Sequence, residues 1–220
     1  MIAIRHQRKG DIVQRQGLNS FAYSARHSCF ATAGIDRTVR LWNADSCGII
    51  EVLSGHKASV VDVVINDDFH QIISASADHT VKVWDIATGR IKYTCGGEQG
   101  HKQDIYSLDT HKDGRFIASG SGDKTVKLWD VEAGANTSTY FDHSDAVHSV
   151  QFSPDGKCIA AGGADKCINV WDTRSRELLQ QRLERRAKQL ELAGTLLQPQ
   201  QPVKKFGFAK PLSDSEESGS

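Results

Sequence analysis

Histidine and aspartate recur together along this chain, as they do where protons are moved. His56, His101 and His143 are each followed 22 positions later by an aspartate, namely Asp78, Asp123 and Asp165. Imidazole beside carboxylate is the ordinary acid/base pair of proton-transfer and hydrolytic sites. Two of the sets also carry a hydroxyl, Ser74 and Ser119, and each closes on a tryptophan, Trp84, Trp129 or Trp171, 28 positions after its histidine. That regularity argues against catalysis, because a reaction needs one site, whereas a set that returns once per unit belongs to the unit. Residues 119–124, Ser-Gly-Ser-Gly-Asp-Lys, are rich in glycine. They lack the spacing of a phosphate-binding loop and fall in a strand-to-strand turn instead of before a helix. No nucleophile with a base is identifiable, and we expect a non-enzyme. The five cysteines show no pair at metal-ligand spacing. Cys29 and Cys158 share one site in the repeat and Cys167 takes the site of Thr38, Thr80 and Thr125, so all five are expected to be reduced packing residues on strands. No metal and no cofactor is expected.

The unit that holds these sets is built from strands. Ile105, Leu108 and Thr110 align with Val60, Val63 and Ile65, with Val147, Val150 and Phe152, and with Leu18, Phe21 and Tyr23, one apolar stripe of a first strand. Asp113-Gly114 and Asp155-Gly156 supply the left-handed backbone of a tight hairpin, filled less ideally by Asp67-Asp68, and a second strand begins at Phe116. Residues 125–129, matched by 38–42, 80–84 and 167–171, form a third strand of alternating β-branched and aromatic residues. Residues 49–53 and 91–95 are fourth strands. The tryptophans are 42, 45 and 42 positions apart, so the one length change falls in the loop at residues 96–100.

Four antiparallel strands per unit, with Gly-His ahead of them and Trp-Asp near their end, are similar to the WD-repeat β-propeller family, over residues 14–181. The resemblance implies an all-β fold of four blades and a buried hydrogen-bonded tetrad in each. His56, Ser74, Asp78 and Trp84 match that tetrad, as do His101, Ser119, Asp123 and Trp129. The outer units depart from it: Gln14 stands for the histidine beside Thr32, Asp36 and Trp42, and Ala161 replaces the hydroxyl beside His143, Asp165 and Trp171. Looser end blades are expected. Imidazole, indole N–H and carboxylate each cost about 1–3 kcal/mol when buried without a partner, which is the physical reason for linking them.

The expected organisation is an N-terminal strand or partial blade at residues 1–13, repeats at 14–54, 55–99, 100–142 and 143–181, an amphipathic helix at 177–196 and a disordered tail at 197–220. Ile2 and Ile4 suit either a strand capping the first blade or the outer strand of a missing one. Leu179, Leu183, Ala187 and Leu190 recur at helical spacing among charged residues. That stripe docks on the last blade or binds a partner, with residues 182–188 as a weaker nucleic-acid patch. The tail ends Ser-Asp-Ser-Glu-Glu-Ser before its last two residues, too polar for a core, though Lys204-Lys205-Phe206-Gly207-Phe208 would serve as a short docking motif.

With 27 basic and 27 acidic residues the chain has no net field to draw in nucleic acid or an anionic membrane, and neither partner is expected. No signal peptide or apolar run of membrane-spanning length is seen, which suits a cytoplasmic or nuclear protein. The function expected is an interaction scaffold that offers rim residues such as His79, Gln99 and Lys124 to proteins or peptides. An alternative is a substrate receptor of a cullin-type ubiquitin ligase, because Trp171-Asp172-Thr173-Arg174 resembles the Trp-Asp-x-Arg box that docks on the ligase adaptor, with Asp172 and Arg174 as contacts. A further alternative is a corepressor-like role, because residues 104–109 resemble a blade of Tup-type corepressors. Four blades are also too few for the rings of six to eight usual in the family, so an open arc or partial propeller is expected, which either pairs with further blades from another chain as a partner or is part of a longer repeat protein.

Overall fold

Residues 17–180 are described by a computed structural model, in which fifteen strands form four antiparallel sheets. The N-terminal strand, Gln14, the amphipathic helix beyond Gln180 and the tail lie outside the described residues. The first sheet runs β1 (Leu18–Ser24), β2 (Cys29–Gly34), β3 (Thr38–Asn43) and β4 (Ile49–Ser54) in chain order. The second comprises β5 (Val60–Asn66), β6 (Gln71–Ser76), β7 (Val81–Asp85) and β8 (Ile91–Cys95), and the third β9 (Ile105–Thr110), β10 (Phe116–Ser121), β11 (Val126–Asp130) and β12 (Ala135–Tyr140). The last has three strands, β13 (Val147–Phe152), β14 (Cys158–Gly163) and β15 (Ile168–Asp172).

Each sheet is a meander because its connections are short hairpins. Gly114 and Gly156 take φ of 68° and 73° in the turns that lead into β10 and β14, where the Asp-Gly pairs anticipated a left-handed backbone. The equivalent turn of the second sheet manages with His70 at φ 51°. Between second and third strands the left-handed residue is never glycine: it is Arg37, His79, Lys124 or Lys166, at φ between 63° and 69°. The strain is offset locally, for the aspartate before each residue bonds the backbone N–H of the residue after it, as Asp78 Oδ1 does with Thr80 at 3.0 Å.

The last unit departs from the four-strand pattern, and one expectation is corrected. The last unit has no fourth strand among the described residues. One bridge joins Trp171 to Leu178, at the register where β4, β8 and β12 begin to pair, and the chain then turns helical at Leu179 and Gln180. Fourth strands elsewhere hold Ile, Val, Thr and Tyr, whereas leucine, glutamine and arginine here favour helix. The cysteines are also not uniformly packing residues. Cys29 and Cys95 are buried, but Cys47 is exposed in the turn between β3 and β4, and Cys167 is exposed just ahead of β15. All five are free thiols.

The core is divided among the blade junctions. One apolar cluster joins the first sheet to Val60 and Val63, a second joins the second sheet to Ile105 and Leu108, and a third joins the third sheet to Val147 and Val150. The first strands of successive sheets touch in the order β1, β5, β9, β13, with polar links between neighbours. Ser20 Oγ donates to Asp62 at 2.7 Å, Asp62 accepts the N–H of Leu108 at 2.9 Å, and Asp109 accepts the N–H of Phe152 at 2.7 Å.

Candidate protein-interaction site

The histidine sets come together as the spacing implied. His56 Nδ1 lies 2.9 Å from Asp78 Oδ2 and its Nε2 2.8 Å from Ser74 Oγ, to which Trp84 Nε1 donates at 2.8 Å. His101, Asp123, Ser119 and Trp129 repeat this at 2.9, 2.8 and 2.7 Å. Because a carboxylate only accepts, the shared proton sits on Nδ1, and Nε2 accepts from the serine hydroxyl. The connectivity is that of a serine-hydrolase triad, but the chemistry is blocked. Ser74 and Ser119 are fully buried, and each Oγ is occupied by an indole N–H. Asp78 and Asp123 are pushed up by burial, yet the bonds from histidine, from Thr80 or Thr125 and from the N–H of Lys57 or Lys102 outweigh it and hold both far below the usual carboxylate range. Burial pushes His101 below the ordinary histidine value against the pull of Asp123. These groups fix the register of strands.

The fourth blade solves the same problem differently. With Ala161 in place of the serine, Trp171 Nε1 donates to Asp142 Oδ2 at 2.7 Å, while His143 still holds Asp165 at 2.9 Å. His143 Nε2 is left buried with no partner. Asp142 occupies the position of Gly55 and Gly100, so a carboxylate has replaced the usual glycine in the one described blade that lacks the hydroxyl. Both departures lie in the same unit, and their coincidence is the signal by which Asp142 could have been found. In the first blade Trp42 Nε1 donates to Thr32 at 2.9 Å.

The exposed candidates separate by rim. His79 and Lys124 stand at the turns between second and third strands, with Arg37 and Lys166 at the matching turns of the outer blades. They reach toward the following blade: His79 Nε2 is 3.6 Å from Asp104, and Lys124 Nζ donates to Ser144 O at 2.9 Å. Gln99 joins Lys124 in a groove of about 420 Å³ on this rim, lined also by Lys102, Lys127 and Phe141. Phe141, which sequence reasoning passed over, is 74% exposed. The three ammonium groups there bond neutral oxygens, of Glu98, Ser144 and Thr139, at 2.6, 2.9 and 3.0 Å.

Asp172 and Arg174 lie at the opposite ends of the strands. Asp172 Oδ1 accepts the N–H groups of Arg174 and Ser175 at 2.9 and 2.8 Å, which makes it the cap of its own turn. Arg174 is exposed and shares a cavity of about 580 Å³ between the last two blades with Arg176, Lys112 and Lys157. The carboxylates lining that cavity are engaged: Asp113 with His111, Asp130 with Arg115, Asp155 with Ser153 and Lys157. Within residues 104–109, Ile105 and Leu108 are buried at a blade junction, so part of the corepressor likeness reports packing. Among the described residues no group of three histidine, cysteine, aspartate or glutamate side chains could hold a metal, and no helix is long and apolar enough to cross a membrane.

Comparison with known proteins agrees with this geometry. Autophagy-related protein 16 of Arabidopsis thaliana is 28% identical over 81 residues, 37% of this chain and 16% of that protein. Coatomer subunit beta'-2 of the same plant is 39% identical over 70 residues, 31% of this chain and 8% of its own length. Cross-pathway control WD-repeat protein 2 of Flammulina velutipes is 41% identical over 63 residues, 26% and 20% of the two chains. The matches thus span a fifth or less of these relatives. The model of the WD domain, G-beta repeat, matches residues 9–43, 47–85, 92–130 and 134–172. Each later match takes in the outer strand of one sheet and three strands of the next, so a sequence repeat straddles two blades, and the last match ends at β15, where the described sheet also ends. With most of its length matched in four successive repeats, the chain belongs to the WD40 repeat family.

Proposed function

We propose that this chain is a non-enzymatic scaffold whose blades hold a rim groove for an acidic peptide segment of partner proteins. The observation that carries the reading is the groove around Phe141. An exposed aromatic ring stands there beside Lys102, Lys124 and Lys127, whose ammonium groups donate to neutral oxygens. The groove's two carboxylates are those of Glu98 and of Asp123, the latter bonded to His101 and Thr125. Such a surface suits a partner that brings both an apolar side chain and negative charge. Rigid blades beneath adaptable rim residues are the general arrangement for recognition without chemistry. Affinity capture from cell extract, read by mass spectrometry, tests it. Phe141→Asp and Lys124→Glu should each release the partners held by the unmodified chain with no loss of thermal stability. Partners retained by both variants would contradict the groove.

A second reading places the chain in a cullin-type ubiquitin ligase as substrate receptor, and one observation favours it. Arg174 is exposed, its guanidinium has no bond within the described residues, and Asp172 and buried Trp171 fix the turn that presents it. Capture of the ligase adaptor by the unmodified chain, and its loss with Arg174→Ala, would support this reading. Failure of both forms to bind would remove it. Blades of another chain are a further class of partner, suggested by apolar faces at both ends of the row of sheets.

A further inference from the structure

At the junction of the last two blades, on the side of Arg174 and away from the rim groove, three basic residues stand at positions that are not basic in any other blade. Arg174 matches Asp45, Ala87 and Glu132, Lys112 matches Ala25, Asp67 and Pro154, and Arg176 matches Cys47, Gly89 and Gly134. The last of these positions is left-handed in every blade, and Arg176 holds it at φ 61°. Glycine takes that backbone freely, whereas an arginine there is strained, and strain retained at one residue points to use. All three residues are exposed, and they line one cavity of about 580 Å³ with an apolar wall of Phe116, Leu128 and Phe152. The carboxylates of the cavity do not neutralise them. Asp113 is held by His111 at 2.6 Å, Asp130 by Arg115 at 2.7 Å, and Asp155 by Ser153 at 2.6 Å and Lys157 at 3.3 Å. Within the described residues Lys112, Arg174 and Arg176 form no ion pair. The turn that carries the arginines is fixed in advance: Asp172 O accepts the N–H of Arg176 at 2.8 Å, and Lys157 O accepts both the N–H and the hydroxyl of Thr173 at 2.8 and 2.9 Å.

We propose that this cavity binds a phosphorylated serine or threonine of a partner protein, with the phosphate held by Lys112, Arg174 and Arg176 and an apolar neighbour of that residue against Phe116 and Leu128. Charge decides the class of ligand. Three unpaired cations suit a phosphate, which carries a charge of about −1.5 to −2 and three acceptor oxygens, better than a single carboxylate. Guanidinium forks add the geometry that a phosphate accepts. Nucleic acid fits less well, because it needs ring faces free for bases to stack on. Here Phe152 is 8% exposed, and the rings of Phe116 and Phe152 both meet His111 in T-shaped contacts. The site goes beyond the rim groove, which lies at the other ends of the strands and shares none of its residues. Arg174 also belongs to the ligase reading, whereas Lys112 and Arg176 lie outside the Trp-Asp-x-Arg box and keep the two ideas separable.

The test is fluorescence anisotropy of the full chain with a pool of labelled peptides, each carrying phosphoserine or phosphothreonine beside leucine, valine or phenylalanine, against the same pool without phosphate. The phosphorylated pool should bind about tenfold tighter or more, an advantage that shrinks as salt is added. Lys112→Glu should weaken its binding by about tenfold or more. Arg176→Gly should weaken it as well without lowering the melting temperature, since glycine relaxes the left-handed backbone. A residue that served stability alone would do the reverse. Phe141→Asp, which spoils the rim groove, should leave this binding unchanged. Equal binding of the two pools, or none of either, would overturn the proposal, as would binding that survives both Lys112→Glu and Arg176→Gly. Loss of binding with Phe141→Asp would move the site to the rim groove. A mixed-sequence RNA oligonucleotide held more tightly than the phosphorylated pool, and released by Lys112→Glu, would replace the phosphopeptide with nucleic acid; either result overturns the proposal too.

Discussion

Ser119 shows what a buried hydroxyl contributes in this molecule, because its Oγ serves both His101 and Trp129. Ser119→Ala leaves two polar groups unpaired, and should lower unfolding free energy by about 1–2 kcal/mol in a denaturant titration. Trp129→Ala, which also empties a large core site, should cost about 3–5 kcal/mol. The fourth blade gives the converse experiment. Ala161→Ser offers Oγ to the orphaned His143 Nε2 and should be neutral or stabilising by up to about 1 kcal/mol. Asp142→Ala, which strands the Trp171 indole, should cost about 1–3 kcal/mol alone and less when Ala161→Ser is present, the signature of a shared partner in a double-mutant cycle. Acid stability follows from the same groups. The unfolded chain takes up protons on histidine near pH 6.5, while buried His101 resists protonation, so its contribution is complete above about pH 6.5 and declines as pH falls below that value. The depressed Asp123 adds a second decline that begins near pH 4, where unfolded aspartate protonates first. Stability measured against pH should show both, and His101→Gln should shrink the upper one. The tetrads were legible in the sequence because their spacing repeats. Asp142 was not, because it departs from the repeat and its partner Trp171 lies 29 positions away.

Hairpins decide how the strands of each blade are placed, and two glycines separate backbone strain from packing. Gly134, at φ 61° with nothing within 4 Å of a Cβ, should lose only about 1–2 kcal/mol on substitution by alanine, the cost of a left-handed L-residue. Gly114, at φ 68°, carries the ring of Phe69 from the preceding blade where a Cβ would go. Gly114→Ala should therefore cost clearly more than Gly134→Ala by thermal or denaturant unfolding. A reduced cost of Gly114→Ala in a Phe69→Ala background would identify the ring as the cause. Strand positions were readable because alternation of Val, Ile and aromatic residues is strong and Asp-Gly marks two of the turns. The stacking of Phe69 on Gly114 was not, since it joins residues 45 positions apart with no pattern of their own. Past Trp171 the repeat spacing does not return and a helical spacing begins, and in the structure the chain turns helical one residue after the bridge at Leu178.

Blades stabilise one another through their junctions, and this makes the ends the decisive part of the molecule. Each internal junction seals an apolar cluster, and the two faces without one carry Leu18, Phe21, Tyr23 and Ile168 in solvent. If a face of about 400 Å² remains uncovered, roughly 10 kcal/mol of burial is forgone at about 25 cal/mol per Å², comparable to the whole stability of an ordinary domain. The four repeats were legible in the sequence because their spacing returns. The rim groove was not, because Phe141 and the lysines around it come from separate turns and strands with no shared spacing. Affinity capture by the full chain, read by mass spectrometry, tests the scaffold reading most directly: Phe141→Asp and Lys124→Glu should release the partners that the unmodified chain holds while keeping its melting temperature. The same partners retained by both variants would contradict the account.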